Sequence, residues 1–334
     1  MKNILLFILS IYIVCAAYNV EKKTEYQPKN IFFVKDGKIF LNGKEILLRG
    51  LRLSNGLISE KAVDELIANL DTFAFYGINS FSVYLQGSRF GDIKGYREDC
   101  SIDSIYGNRL SRIIEAADQK GFVVLVGCLY YGTSKAPWDT WTQKEANLAI
   151  VNTVAWLKEH NYHNVFIDVD NEGMARKAKN FDNREMVIAG KAVDSSYIIA
   201  TNFKGDPPPE ADIAVHFSNR AEGKPYAETE GSPPGIRGGY WGAYSKQGKE
   251  WNNGQDLYQY INIGVYTEEI RAAQIKATFD HFDRGEGYFL ASTWLQCVPP
   301  EGPNHRPGGY GTTNEPGIRW WLVAVKRWSD KVMR

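Results

Sequence analysis

The sequence is poor in cysteine and histidine, with 4 of the first and 5 of the second in 334 residues. So few cysteines exclude a small scaffold stapled by disulfides. Cys15 falls in the leader described below, and the remainder (Cys100, Cys128 and Cys297) is odd in number. One pair can form, and the sequence does not say which. Cys128 sits in an apolar run and reads as a small buried hydrophobe. The histidines show no H-E-x-x-H spacing, which excludes that zinc-protease signature. Charge of one sign is not in excess: Lys plus Arg number 39, as do Asp plus Glu. A neutral chain has no global field to gather a polyanion, so nucleic acid is not an expected partner. There is no G-x-S-x-G elbow, which argues against an acyl hydrolase. Internal repeats, low-complexity tracts and Ser/Gly linkers are also missing, so nothing marks a second domain.

Long apolar runs are scarce too. The one at the start follows Lys2, covers residues 4–14 and leads into Cys15-Ala16-Ala17. This is the three-part pattern of an export signal, and it is too short to span a bilayer stably. Residues 1–17 are therefore set apart, and 18–334 are expected to form a single domain. Cys15 also stands where a bacterial lipoprotein carries its lipid, although Val14 replaces the usual small residue. Simple export and a lipid anchor both remain open, and that anchor is the only membrane attachment expected.

What is present in quantity is aromatic: 9 Trp and 19 Tyr. Such rings fill cores, and they also stack on the flat faces of sugars. The chain opens with a hairpin signal, residues 31–41, turning at Asp36-Gly37. Apolar strand-like runs then recur at 47–53, 78–85, 122–130, 165–170, 197–201, 212–217, 225–230 and 287–294. Segments with helical spacing lie between many of them, at 60–76, 110–120, 148–157 and 266–283, and a last one covers about 317–331. Strands apolar on both faces belong to parallel sheets. Eight of them, alternating with helices, predict an α/β (β/α)₈ barrel, with the hairpin capping its bottom. The connections after the fifth and sixth strands look short for full helices.

In such a barrel, chemistry sits at the carboxyl ends of the strands. The fourth strand ends Asp168-Val169-Asp170-Asn171-Glu172, and the seventh ends Glu228-Thr229-Glu230-Gly231. Two opposed carboxyls are what glycosidic cleavage requires, one protonated to release the leaving oxygen and one ionised to attack or to activate water. Glu228 and Glu230 lie two apart and so share a strand face. The fifth strand ends at Asn202, the sixth at His216-Phe217-Ser218, the third at Tyr130 and the eighth at Trp294. The long loop after the seventh strand carries Trp241, a further ring suited to a glycan cleft. Asp168, Asp170 and Glu172 also admit a metal reading, a barrel lyase or isomerase using Mg²⁺. A non-catalytic glycan-binding barrel is a third possibility.

These motifs together resemble the cellulase- and mannanase-type retaining glycoside hydrolases. The resemblance rests on Asn171-Glu172, on Lys224-Pro225 followed by Glu230-Gly231, on His216-Phe217-Ser218, on Trp294 and on the opening segment KDGKIFLNGKEILLRGLRLS. It implies Glu172 as acid/base and Glu230 as nucleophile, with Glu228 the second choice. It also implies that Asn171 holds the sugar 2-hydroxyl, His216 orients Glu230 and Trp294 supports the sugar. The expected partner is a poly- or oligosaccharide, the expected state a monomer, and no cofactor is called for. The resemblance departs on the second strand, where Ser82 stands in place of an Arg; Arg52, Arg89 or no residue supplies that charge. The third strand also lacks a His.

Overall fold

Two tight turns begin the fold. Asp36-Gly37 and Asn42-Gly43 both hold left-handed backbone, with φ of 51°, 71°, 53° and 77°. That pairing of angles matches the right-handed twist of the strands it joins. The result is a three-stranded antiparallel sheet of β1 (Phe32–Lys35), β2 (Lys38–Leu41) and a short β3 (Lys44–Glu45). The sequence predicted the first two strands; the third is only two residues long and left no pattern to read. This computed structural model describes residues 26–86, 93–130, 140–173, 181–231, 266–291 and 308–332.

Eight parallel strands follow and close on themselves. They are β4 (Arg49–Arg52), β5 (Ser80–Tyr84), β6 (Val123–Leu129), β7 (Val165–Asp170), β8 (Ile198–Thr201), β9 (Ile213–Val215), β10 (Tyr226–Gly231) and β11 (Gly287–Ala291). Each pairs with the next, and β11 pairs with β4 to complete the ring. All eight lie within the runs expected from the sequence, except that β10 extends one residue further to Gly231. Alternation explains why these runs are apolar throughout. Leu125, Phe166, Ile198, Ile213 and Phe289 pack together inside the barrel, whereas Val124, Val126, Ile167 and Ile199 belong to the layer beneath the helices. Phe32 and Ile39 of the hairpin join the inner cluster, and the Phe32 ring stacks on Phe166 at 5.5 Å. The hairpin thus closes the amino-terminal end of the barrel and leaves the other end for chemistry.

The helices are α1 (Glu60–Phe75), α2 (Ser104–Gln119), α3 (Gln143–Glu159), α4 (Asn183–Val193), α5 (Glu268–Asp283) and α6 (Arg319–Val332). Side chains of Ser59, Asp103, Asp182 and Thr267 accept from backbone N–H groups at the starts of α1, α2, α4 and α5. No helix separates β8 from β9 or β9 from β10; those are the two connections that looked short. Cys100 and Cys128 are both buried and free. Among the described residues, no helix is long and apolar enough to cross a membrane. The export signal, Cys15 and Cys297 lie outside the described residues.

One glycine is fixed by packing. A Cβ at Gly127 would run into the ring of Tyr84 on the neighbouring strand. Gly127→Ala is expected to cost about 1–3 kcal/mol through overpacking, read as a lower denaturant midpoint. A midpoint equal to that of the parent would show that Tyr84 has room to move.

Candidate active site

The carboxyl end of the barrel is organised around Arg52, the last residue of β4. Its guanidinium is fully buried, and Nη1 donates to the Tyr84 hydroxyl and to the Thr229 carbonyl, both at 3.2 Å. Nη2 donates to Asn171 Oδ1 at 2.9 Å and lies 3.5 Å from Glu230 Oε2. The Tyr84 and Tyr130 rings flank it at 5.0 and 5.5 Å. A buried charge needs partners of this kind, because desolvation is otherwise prohibitive. Ser82 is the register partner of Arg52 on β5, and its hydroxyl is buried without a hydrogen bond. The cation therefore comes from the first barrel strand, with a small residue beside it on the second. Arg89 lies outside the described residues.

Asn171 is held by three neighbours. Arg52 and Asn202 Nδ2 donate to its Oδ1 at 2.9 and 3.0 Å, and the Tyr84 hydroxyl stands 3.1 Å away. Since a guanidinium only donates, the amide orientation is fixed. Its Nδ2 is left buried with no hydrogen-bond partner. Asn202 also donates to Asp168 Oδ2 at 3.1 Å. Burial pushes the Asp168 carboxyl up to about 6, with Asn202 and Arg52 opposing it. Asn202 is spent on Asp168 and Asn171, and Tyr130 is buried edge-on against Tyr84 and Arg52. Both thus belong to the packed surroundings of Asn171 and Arg52.

Glu172 follows β7 in a single 3₁₀ turn, Asn171–Gly173, and holds φ of 57°. A left-handed glutamate is strained backbone. The turn takes its carboxyl off the strand alternation, so it does not line up with Asp168 and Asp170. It reaches His216 instead, with Oε1 3.3 Å from Nε2. His216 is itself left-handed, with φ of 44°. Strand β10 fixes it through alternate residues. The Tyr226 hydroxyl donates to the His216 carbonyl at 2.7 Å, Glu228 Oε1 meets ring Nδ1 at 2.6 Å, and Glu230 Oε2 lies 3.7 Å from Nε2. Glu228 Oε1 also accepts from the Glu230 backbone N–H at 2.8 Å. One atom each from Glu172, His216 and Glu230 lie within 4.8 Å of one another. Strand geometry alone left Glu228 and Glu230 equivalent; here Glu228 stands behind the imidazole and Glu230 in front of it.

The charges follow from this arrangement. Burial disfavours the His216 imidazolium, but the Glu228 charge and the Glu172 contact outweigh it and hold the pKa well above the usual value. Burial works against the Glu228 carboxylate as well, and His216 more than offsets it, keeping Glu228 below the ordinary range. Glu230 is pushed up to about 8, by burial first and by the Glu172 charge; Arg52 and His216 pull the other way. At Glu172, burial is overcome by His216, Glu230 and Arg52, and its pKa falls below the ordinary value. Over the neutral range the facing pair thus holds one proton between two carboxyls.

Trp241 and Trp294 lie outside the described residues. Arg52 is the residue that local sequence reading undervalued, although an arginine inside the run ILLRGLRLS signals a buried charge with a task. No family model matches the chain, and no curated protein matches it. Solved structures do. An exo-beta-1,4-mannosidase from Opitutaceae bacterium strain TAV5 aligns with a TM-score of 0.55 at 12% identity, over 89% of this chain and 62% of that one. An endocellulase from Pyrococcus horikoshii, in complex with cellotetraose, aligns with a TM-score of 0.52 at 11% identity, over 90% and 98%. A beta-glucanase from Saccharophagus degradans aligns with a TM-score of 0.51 at 14% identity, over 92% and 95%. The chain has the closed (β/α)₈ fold that these glycoside hydrolases share.

Proposed function

We propose that this chain is an exported glycoside hydrolase that cleaves a β-linked poly- or oligosaccharide with retention of anomeric configuration. The observation that carries the reading is the facing pair, Glu172 and Glu230, with carboxyl oxygens within 4.8 Å across the barrel mouth. Carboxyls about 5–5.5 Å apart suit a double displacement, whereas inversion needs about 6.5–9.5 Å to admit a water. Glu230 attacks the anomeric carbon as the bond to the leaving oxygen breaks, and Glu172 gives that oxygen its proton. Glu172 then takes a proton from water, which attacks the glycosyl-enzyme and releases Glu230. For this, the single proton of the pair must sit on Glu172 when substrate is bound. Arg52 stabilises the ionised Glu230. Asn171 Nδ2, buried and unpaired, offers its donor to a sugar hydroxyl. His216 holds both carboxyls in place, and Glu228 holds His216.

A panel of polysaccharides and oligosaccharides, with product configuration followed by NMR, tests the reading. The first product anomer should keep the configuration of the bond that was cut. Appearance of the opposite anomer first would sink the double displacement. The pH profile is a second check. Turnover needs one proton on the pair, so kcat/KM is expected to fall as pH rises through about 8, where Glu230 would lose that proton. The acid limb should lie below the ordinary glutamate range, because Glu172 is held low. An alkaline limb near the ordinary carboxyl value would contradict the shared proton.

A further inference from the structure

The same three side chains support a different chemistry. We propose that Glu172, His216 and Glu230 form a reversible site for one divalent transition cation of the zinc type. Binding itself does not depend on the hydrolase reading; only its effect on turnover does.

The spacing is the first support. Zinc with ligands at about 2.0–2.1 Å in a tetrahedron places neighbouring ligand atoms about 3.3–3.4 Å apart. His216 Nε2 lies 3.3 Å from Glu172 Oε1 and 3.7 Å from Glu230 Oε2. All three atoms lie within 4.8 Å of one another, so modest side-chain shifts bring them to that spacing. The second support is burial: Glu230 is 7% exposed, and its buried Oε2 accepts no hydrogen bond, with Arg52 Nη2 3.5 Å away as an ion-pair neighbour. The third lies behind the imidazole. Metal-bound histidines usually donate their other ring N–H to a carboxylate, which fixes the tautomer. Glu228 Oε1, 2.6 Å from Nδ1, already does this for His216.

One nitrogen and two oxygens suit zinc, cobalt or copper, whereas magnesium and calcium prefer oxygen alone. Three protein ligands leave a fourth position open for water or a sugar hydroxyl. Binding releases to solvent the protons held by His216 Nε2 and the carboxyl pair. Arg52, 3.5 Å from Glu230 Oε2, opposes the cation. The ion is therefore expected to be removable by a chelator, unlike a structural zinc.

Cobalt(II) alone, titrated into the full chain, tests the proposal through its visible absorption, with bound metal counted after ultrafiltration. The expected result is one equivalent, displaced by zinc, lost in His216→Ala and weakened roughly 10–100-fold in Glu228→Gln. Circular dichroism checks the fold of each variant; if His216→Ala does not fold, Glu230→Gln takes its place. No saturable binding, or binding unchanged in these variants, overturns the proposal whether or not the chain hydrolyses sugars. On a substrate that the enzyme cleaves, one bound equivalent of zinc should stop turnover and EDTA should restore it. Full turnover with that equivalent bound would place the ion elsewhere and overturn the site.

Discussion

Glu230→Gln is expected to abolish hydrolysis, lowering kcat on the order of 10⁴-fold or more, as loss of a nucleophile does in covalent catalysts. The amide keeps the shape of the side chain but cannot attack the anomeric carbon. Glu172→Gln should cost roughly 10²–10⁴-fold, the usual worth of a positioned acid/base. The two variants should differ in kind. With a substrate whose leaving group needs no proton, Glu172→Gln still forms the glycosyl-enzyme, so a burst of released leaving group precedes slow turnover. Glu230→Gln gives no burst. Glu228→Gln separates the two strand-β10 candidates: its amide can still meet His216, so it should retain turnover that Glu230→Gln lacks. Near-parental hydrolysis by either Glu172→Gln or Glu230→Gln would remove that residue from the mechanism.

Arg52→Ala is expected to have the largest effect on stability. It strips a buried cation from Glu230, Asn171, Tyr84 and the Thr229 carbonyl. Breaking one side of a buried, hydrogen-bonded pair costs about 3–5 kcal/mol, because its partners are left unsatisfied. Urea denaturation reads this directly. Pairing Arg52→Ala with Glu230→Gln in a double-mutant cycle apportions it: both changes act on the same contact, so the double variant should be less destabilised than the sum of the singles. Additive losses would show that the two groups do not interact. Arg52→Lys keeps the charge but not the planar fork, and it should recover only part of the stability.

The barrel was legible because parallel strands are buried on both sides and read as unbroken apolar runs. Helix α4 was not, since NREMVIAGKAV spends only four buried positions on the core. The opposed carboxyls at the ends of β7 and β10 were legible from strand ends alone. The choice between Glu228 and Glu230 was not settled by strand period, which gives both the same face. The motif, with Pro225 before Glu230 and Gly231 after it, favoured Glu230; His216 stands between the two, with Nδ1 on Glu228 and Nε2 toward Glu230. Arg52 was only one of two candidates in the sequence for a similar reason. Its partners stand 32, 119 and 177 residues away, and only the closed ring brings them together.

The left-handed backbone at Glu172 and His216 carries a consequence for how this protein tolerates change. Non-glycine residues held this way cost about 1–3 kcal/mol each, sustained by the surrounding packing. Glycine at 172 relaxes the turn and also removes one of two crowded acids. Such a variant should be inert, and the backbone gain is set against the loss of the carboxylate that pairs with His216, the mark of a fold that gives up resilience to keep two side chains aimed.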